Sequence, residues 1–185
     1  MPEARPLGAP AHGEAAAIVA VQSALADRPE SLTVAQGLSH FGEHSIGWLA
    51  VSALGAVLSP RRRRDWLVAG AGAFAAHAAA VLVKRVVRRK RPHHPAVAVN
   101  VGTPSQLSFP SAHATSTTAA AILMSRATGL PTGLGAAVLV PPMALSRILL
   151  GVHYPSDVAA GVALGAAVAA VAVRLDLRLT RGVSI

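Results

Sequence analysis

Three groups of residues in this sequence carry the kinds of side chain that bind and cleave a phosphate ester. In chain order they are Lys84 with Arg91-Pro92, then Pro110-Ser111-Ala112-His113, then Ser146-Arg147 with His153 and Asp157. Cationic side chains and free backbone N–H groups bind phosphoryl oxygens, while an imidazole can transfer a proton or attack phosphorus. Together these groups indicate a site for phosphoryl transfer or hydrolysis.

The first group is a pair of cations, Lys84 and Arg91, seven residues apart. They share one helix face with Arg88 if the helix continues past its apolar part. Pro92 then disfavours helix at Arg91 and turns the chain away. Two cations on one face favour a bound phosphate. The alternative is that the whole basic run 84–91 contacts lipid headgroups.

The second group is predicted to begin a helix. Ser111 is well placed to cap it, which leaves the following backbone N–H groups free to bind an anion. His113, in the first turn, could donate a proton to a leaving oxygen because an imidazole titrates near neutral pH. The alternative is a histidine that is simply hydrogen-bonded near the membrane interface.

The third group contains a cation in an apolar stretch, Arg147 within Met143–Leu150. A charge there is costly unless it faces a cavity or a partner, and a guanidinium suits bidentate binding of phosphate. Asp157 could accept from one imidazole nitrogen of His153 and leave the other nitrogen free to attack phosphorus. The alternative is that Asp157 only stabilises a helix N-terminus.

The composition places these groups in a membrane protein. Hydrophobic residues make up 52% of the 185 residues, charged residues make up 14%, and the mean hydropathy is +0.49. The net charge of +9 comes from Arg and Lys at the ends of apolar segments, not from a basic stripe with interleaved aromatic residues. We therefore expect membrane lipids and a lipid phosphate as partners, and no nucleic acid.

The apolar segments predict an all-α integral membrane helical bundle with about five transmembrane helices, preceded by an N-terminal amphipathic helix over Glu14–Ala26. The predicted spans are Ile46–Ser59 with an extension toward Phe41, Trp66–Val83, Ser111–Met124, Leu134–Leu150 and Val158–Val173. The predicted organisation is a flexible tail (1–13), amphipathic or interfacial helices (14–40), the transmembrane domain (41–176) and a C-terminal tail (177–185). This connectivity places all three groups on one membrane face.

Charge and small residues give weaker indications about orientation and assembly. Arg61–Arg64, Arg174, Arg178 and Arg181 lie opposite the three groups, which favours a cytoplasmic position for that opposite face. The basic run 84–91 nearly balances this count, and a precursor made in the cytoplasm would favour a site on that side. The charge bias therefore favours an extracytoplasmic site by a narrow margin. Gly161 and Gly165 predict a close helix contact, within or between chains, and the oligomeric state stays open.

The three groups, with their internal spacings, resemble the signature of the type 2 phosphatidic acid phosphatase superfamily, the lipid phosphate phosphatases related to vanadium haloperoxidases. The resemblance implies a phosphomonoesterase that needs neither metal nor cofactor and works through a phosphohistidine. It implies that His153 is the nucleophile, that Asp157 orients it and that His113 is the general acid. The phosphoryl oxygens would be held by Lys84, Arg91, Ser111, Arg147 and the backbone N–H near Ala112. The family usually has glycine at position 112, so we expect a helical backbone there.

A more specific resemblance covers most of the chain. Ser39-His40-Phe41-Gly42-Glu43-His44, Arg62–Ala80 and Arg91–Ser116 are similar to the decaprenylphosphoryl-5-phosphoribose phosphatases of actinobacteria that make mycolic acids. This implies removal of the 5-phosphate from a polyprenyl-linked ribose at the cell membrane, in the synthesis of cell-wall arabinan. Side chains that could contact the sugar are Glu43, His44, His93, His94 and Asn100.

Other functions fit the same phosphate site. A polyprenyl pyrophosphate phosphatase or a phosphatidylglycerophosphate phosphatase would use the same residues, because these act on the phosphate and not on the alcohol. A non-catalytic anion-binding membrane protein is a further alternative, although it would not need an imidazole oriented by a carboxylate.

Overall fold

The computed structural model describes residues 11–182, and in this range the chain is helical and has no β-strand. The α-helices are α1 (Gly13–Leu25), α2 (Pro29–Gly42), α3 (Ile46–Leu58), α4 (Arg63–Val87), α5 (Ala112–Thr128), α6 (Thr132–Leu149) and α7 (Pro155–Gly182). Short 3₁₀ turns precede α3 and α4. The predicted all-α membrane bundle is confirmed.

Within the described residues, four helical segments are long and apolar enough to cross a membrane: Pro29–Leu58, Pro60–Val87, Thr132–Leu149 and Pro155–Thr180. The first of these is interrupted, because His44 and Ser45 have φ values of 49° and 62° and separate α2 from α3. With 13 residues, α3 extends only about 20 Å, which is less than the hydrocarbon core of about 30 Å. The first crossing therefore needs α2 as well, and begins well before the predicted Phe41.

The fifth predicted span is α5, a helix of 17 residues at the centre of the bundle. It packs against α4, α6 and α7, and Thr115, Ser116 and Thr117 are fully buried. The hydroxyl of Thr115 donates to the Ser111 carbonyl at 2.8 Å, so a polar side chain is satisfied within its own helix. A helix surrounded by protein does not need an apolar surface toward lipid, which explains its modest hydropathy.

α7 lies very close to α5, because glycines face the α5 backbone. A Cβ on Gly161 would lie 2.7 Å from the Ser111 carbonyl oxygen, and one on Gly165 would lie 2.3 Å from that of Thr115. The small-residue face predicted for this helix is therefore a contact within the chain. It sets the distance between the helix that begins with the second group and the helix that carries Asp157.

α1 covers the end of the bundle that carries the three groups. It contacts α6 and α7, and its buried side carries Ile18 and Gln22. The Gln22 amide donates to the carbonyls of Ala98 (2.6 Å) and Leu149 (3.0 Å). The outer side consists mostly of alanine, so α1 turns its polar side chain inward, the reverse of an ordinary interfacial helix.

The last helix is longer than the predicted span, which ended at Val173. α7 continues through Gly182, into the residues predicted as a C-terminal tail. Asp176 explains the extension, because this buried carboxylate pairs with Arg64 of α4 and Arg126 of α5. The predicted N-terminal tail lies outside the described residues up to position 10, and α1 begins at Gly13.

Candidate active site

The three groups meet at one end of the bundle, around a cavity of about 560 Å³. Its lining includes Lys84, Arg91, Ala112, His113, Arg147 and His153. These residues come from α4, the loop after it, the start of α5, the end of α6 and the loop before α7. The convergence predicted from the alternating direction of the spans is therefore observed.

His153 and Asp157 form a buried pair where α7 begins. The Nδ1 atom of His153 lies 3.6 Å from Oδ2 of Asp157, and the two side chains are 3% and 0% exposed. Oδ2 also accepts from the Tyr154 backbone N–H at 2.8 Å, so the carboxylate caps its own helix. His153 Nδ1 has no hydrogen-bond partner among the described residues, and 3.6 Å is too long for a full hydrogen bond. A small rotation of the imidazole would complete the bond.

The other nitrogen of His153 faces Arg91, one of the cations predicted to bind phosphate. Its Nε2 lies 3.4 Å from Nη1 of Arg91. Burial lowers the pKa of His153 to about 3; Asp157 raises it, and the charges of Arg91 and Lys84 lower it further. The imidazole is therefore neutral at pH 7 and carries a free electron pair, as a nucleophile requires.

Lys84 and Arg91 are held by carbonyl groups of two loops, the one between α4 and α5 and the one between α6 and α7. The Lys84 ammonium donates to the carbonyls of Leu107 (3.1 Å) and Ser108 (2.9 Å). Arg91 donates through Nε to the Ser105 carbonyl (2.8 Å) and through Nη1 to that of Val152 (2.7 Å). Burial lowers the pKa of Arg91 to about 10, against the raising effect of Asp157, so the group stays charged at neutral pH.

The seven-residue spacing predicted that the two cations share one face of a continuous helix. They do not. α4 ends at Val87, and Arg88 adopts the left-handed conformation with a φ of 55°. Arg91 therefore reaches the cavity from the loop, whereas Arg88 is exposed and does not line it. The proximity of Lys84 and Arg91 results from loop geometry and not from helical periodicity.

Arg147 is 2% exposed and lies against α2. Its Nη1 donates to the Ser39 hydroxyl at 3.1 Å and its Nε to the Ser146 hydroxyl at 3.2 Å. Its Nη2 is buried without a partner among the described residues, although the side chain lines the cavity. A buried guanidinium with an unused donor is suited to a phosphoryl oxygen.

The second group caps α5 as predicted. The Ser111 hydroxyl accepts from the Ala114 N–H at 3.4 Å, and Ala112 is the first helical residue, without a positive φ. Ser111 is fully buried and its backbone N–H donates to the Asp157 carbonyl at 2.9 Å, so it joins the starts of α5 and α7. The cavity lining includes Ala112 and His113 but not Ser111, the one predicted phosphate ligand that lies behind this surface.

His113 is oriented by α2. Its Nε2 lies 2.9 Å from the Ser39 carbonyl oxygen and donates to it, because a carbonyl can only accept. Gly42 permits this arrangement, since a Cβ there would lie 2.7 Å from Cδ2 of His113. The remaining ring nitrogen, Nδ1, is left for proton transfer to a bound molecule.

The residues predicted to contact a sugar divide into two sets. Glu43 and His44, in the turn between α2 and α3, line the cavity. His93, His94 and Asn100 do not, and the backbone of Asn100 is engaged with Leu150 and Gln36. The structure therefore brings only the first set to the site.

Sequence reasoning missed several residues that shape the site, namely Ser39, His77, Arg89 and Ser105. Ser39 orients both His113 and Arg147, but nothing in its local sequence indicates this. Arg89 lies in the basic run for which contact with lipid headgroups was the alternative interpretation, but it donates to Asp157 at 2.9 Å. The one available signal was the position of Arg89 between two predicted phosphate ligands.

Comparison with known proteins agrees with this geometry. A model of the PAP2 superfamily matches residues 65–181, which contain all three groups. The chain belongs to the PAP2 superfamily. The PAP2 match begins in α4, so α1, α2 and α3 precede it.

PAP2 relatives of known name cover most of the chain. A decaprenylphosphoryl-5-phosphoribose phosphatase of Mycobacterium tuberculosis is 76% identical over 159 residues, which are 86% of this chain and 88% of the relative. The protein of the same name from Mycolicibacterium smegmatis is 68% identical over 149 residues, covering 80% of this chain and 81% of the relative.

Two solved structures share the PAP2 fold. The transmembrane PAP2-type phosphatidylglycerolphosphate phosphatase of Bacillus subtilis superposes with a TM-score of 0.67 and 22% identity, covering 88% of this chain and 85% of that chain. A bacterial vanadium-dependent iodoperoxidase superposes with a TM-score of 0.63 and 18% identity, covering 92% of this chain and 52% of that one. At these identities the likeness concerns the fold.

Proposed function

We propose that this protein is a membrane phosphatase that removes the 5-phosphate from decaprenylphosphoryl-5-phosphoribose, in the synthesis of cell-wall arabinan precursors. The observation that carries the proposal is the buried His153–Asp157 pair facing three cations across one cavity, in a chain 76% identical to a phosphatase of that name. The exposed apolar surface of the helices suits a substrate with a long polyprenyl chain.

The proposed reaction has two displacements at phosphorus. In the first, Nε2 of His153 attacks phosphorus and the bond to the sugar oxygen breaks. His113, which takes up a proton at Nδ1 when the phosphate dianion binds beside it, gives that proton to the sugar oxygen. In the second, His113 takes a proton from water, the water oxygen attacks phosphorus, and the bond to His153 breaks. The products are the dephosphorylated lipid and inorganic phosphate, and both histidines return to their starting states.

The cations stabilise the charge that develops on the phosphoryl oxygens. Arg147 offers its unused Nη2, while Lys84 and Arg91 line the same cavity. The backbone N–H near Ala112, at the start of α5, adds a neutral donor. Asp157 stabilises the imidazolium character of His153 in the transition state. These groups supply the positive charge for a phosphoryl transition state, so we expect EDTA to leave activity unchanged.

We further propose that the cavity opens on the extracytoplasmic side. Arg61, Arg62, Arg63 and Arg64 follow α3 on the opposite side of the bundle, and the Arg126 carbonyl accepts from Arg62 there. A surplus of Arg near short loops favours the cytoplasmic face.

The deciding test is phosphate release by the detergent-purified protein from decaprenylphosphoryl-5-phosphoribose, decaprenyl pyrophosphate and phosphatidylglycerophosphate, with His153→Ala as the blank. Preference for the first substrate, absent in the variant, supports the proposal. Preference for another lipid keeps the mechanism and rejects the substrate. No hydrolysis of any of the three supports a non-catalytic anion-binding protein.

A second test addresses the nucleophile. Rapid acid-free quenching with a substrate labelled in its 5-phosphate should trap label on the wild-type protein, in an acid-labile and base-stable form expected of phosphohistidine. His153→Ala should trap none. Vanadate should inhibit competitively, because it resembles the phosphoryl group in the transition state and would bind to the same cations.

A further inference from the structure

α1 reaches the catalytic pair through a chain of charged groups. The Glu14 carboxylate accepts from Nη2 of Arg89 at 2.6 Å, and Nη1 of Arg89 donates to Oδ1 of Asp157 at 2.9 Å. The same Nη1 lies 2.6 Å from the Ser156 hydroxyl. The guanidinium also stacks over the Tyr154 ring, 4.2 Å from its centroid. Arg89 is thus held on both edges and on one face.

Glu14 has a second contact with the start of α7. Its Oε1 accepts from the Ser156 backbone N–H at 2.7 Å, so a carboxylate from α1 helps to cap α7. Burial alone would raise the pKa of Glu14, but the hydrogen bonds from Arg89 and Ser156 hold it below its usual value. Glu14 is therefore an anion at neutral pH.

The backbone of Arg89 is fixed independently of α1. Arg88 ends α4 in the left-handed conformation, and the Arg89 carbonyl accepts from the Ser108 N–H at 2.8 Å. The base of the side chain is therefore anchored, while its guanidinium is 32% exposed and depends on its partners for orientation. Without Glu14, that group could rotate away from Asp157 or pair with it alone.

We propose that Glu14 is a positioning residue for catalysis, which acts through Arg89 on Asp157 and so on His153. Glu14 holds one arm of the guanidinium so that the other arm meets Asp157. It also offsets the charge of Arg89, because Glu14, Arg89 and Asp157 together carry one net negative charge. His153 therefore still faces an anion, where an isolated Arg89–Asp157 pair would present none. This inference rests on the proposed role of His153 and Asp157, and assigns a catalytic contribution to a helix that precedes the PAP2 match.

The test compares Glu14→Gln with Glu30→Gln, the same change in the first turn of α2, where the side chain is exposed and makes no ion pair in the described structure. A glutamine at position 14 retains an oxygen for the Ser156 N–H, but its NH₂ group cannot accept from Arg89, so the variant loses the charge and the contact that holds the guanidinium. With decaprenylphosphoryl-5-phosphoribose as substrate, we expect kcat of Glu14→Gln to fall about tenfold with KM within about twofold. Glu30→Gln should match the wild type.

A double-mutant cycle with Arg89→Gln separates positioning from a purely structural role. Because Glu14 acts through Arg89, Glu14→Gln should lower kcat no further once the arginine at position 89 has been replaced. Equal losses in both backgrounds, or an unchanged kcat in Glu14→Gln alone, would overturn the inference.

If Glu14→Gln does not fold, as judged by its thermal midpoint in detergent, the cycle is run with Glu14→Asp. This variant keeps the charge but has a shorter side chain, and it should lose less activity. An inactive wild type would reject the proposed function, whereas an active wild type with an active Glu14→Gln rejects only this inference.

Discussion

At the scale of single residues, the site is built from charges that protein groups hold before any substrate arrives. Lys84 and Arg91 are fixed by loop carbonyls, and Arg147 is fixed by hydroxyls of Ser39 and Ser146. Neutral oxygens orient these cations without neutralising them. The positive charge therefore remains available for a phosphate dianion, and the site needs little reorganisation during the reaction.

Arg147→Lys tests whether the fork of this side chain matters. Lysine keeps the charge but cannot bind Ser39 and a phosphoryl oxygen with separate, fixed N–H groups. We expect kcat/KM to fall about 100-fold. Arg174→Lys, the same change at an exposed position of α7, is the matched control and should behave as wild type. A loss in Arg147→Lys no larger than in this control would contradict the proposed role.

The burial of His153 predicts a pH dependence of stability. Its folded pKa, about 3, lies below the unfolded value of 6.5, so the unfolded chain binds one more proton between these values. Stability from the neutral imidazole is complete above pH 6.5 and declines as the pH falls toward 3, by up to about 1.4 kcal/mol per pH unit. The measurement is the thermal midpoint in detergent at pH 7.5, 6.5, 5.5 and 5.0.

His153→Gln should make this dependence less steep between pH 6.5 and 5, because glutamine does not titrate and the variant has one buried imidazole fewer. Above pH 5 the carboxylates contribute little, since their usual pKa values lie near 4. An equally steep decline in the variant would mean that His153 is already protonated in the folded protein, against the neutral nucleophile proposed here.

The sequence predicted the residues that line the candidate site better than the residues that support them. Lys84, Arg91, His113, Arg147 and His153 stand in short groups with fixed spacing, and each lines the cavity. Ser39 contacts a histidine 74 positions away, and Glu14 contacts a residue 142 positions away. Contacts at such separations depend on how α1 and α2 pack. No local pattern encodes them.

At the scale of elements, the packing of α5 against α7 determines the distance between the proposed acid and nucleophile. α5 carries His113 and α7 carries Asp157, and glycines bring the two backbones together. The last turns of α2 then place the Ser39 carbonyl against His113. Sequence periodicity predicted these helices but not the break at His44 and Ser45, since neither residue type usually adopts a positive φ.

Gly165→Ala should weaken this contact. The added Cβ would lie 2.3 Å from the Thr115 carbonyl oxygen, and a backbone atom cannot move aside as a side chain can. We expect a loss of about 1–3 kcal/mol in stability. We also expect a lower kcat, because the added Cβ pushes α7 away from α5 and moves Asp157 with it. Gly133→Ala, where no atom lies within 4 Å of the new Cβ, is the control. A variant at 165 with wild-type melting and turnover would contradict this account.

At the scale of the whole molecule, charge is distributed unequally between the two ends of the bundle. The end opposite the cavity carries Arg61, Arg62, Arg63 and Arg64, and also a network in which Arg64 and Arg126 pair with Asp176. At the cavity end, Lys84, Arg91 and Arg147 line the cavity, and Arg85, Arg88 and Lys90 are exposed. The opposite end has more exposed Arg, because Arg174 and Arg178 of α7 add to Arg61–Arg64, and this surplus is the basis of the proposed orientation.

Orientation can be measured directly because the chain has no cysteine. Single cysteines at Ala96, in an exposed loop at the cavity end, and at Gly133, at the opposite start of α6, should differ in reactivity. In intact cells, a membrane-impermeant maleimide should label Ala96→Cys and not Gly133→Cys, with equal labelling after the membrane is dissolved. The reverse pattern would place the cavity in the cytoplasm.

The burial of α5 also affects how topology is counted and how the chain enters the bilayer. Hydropathy and length identify four crossings, an even number that would put Gly13 and Gly182 on the same side. With α5 as a fifth crossing, the two lie on opposite sides of the membrane. A helix that carries the polar residues Thr115, Ser116 and Thr117 near its start has little tendency to partition into lipid alone. It should therefore insert as a hairpin with α4 or α6, so that membrane integration of the central helix is a cooperative event.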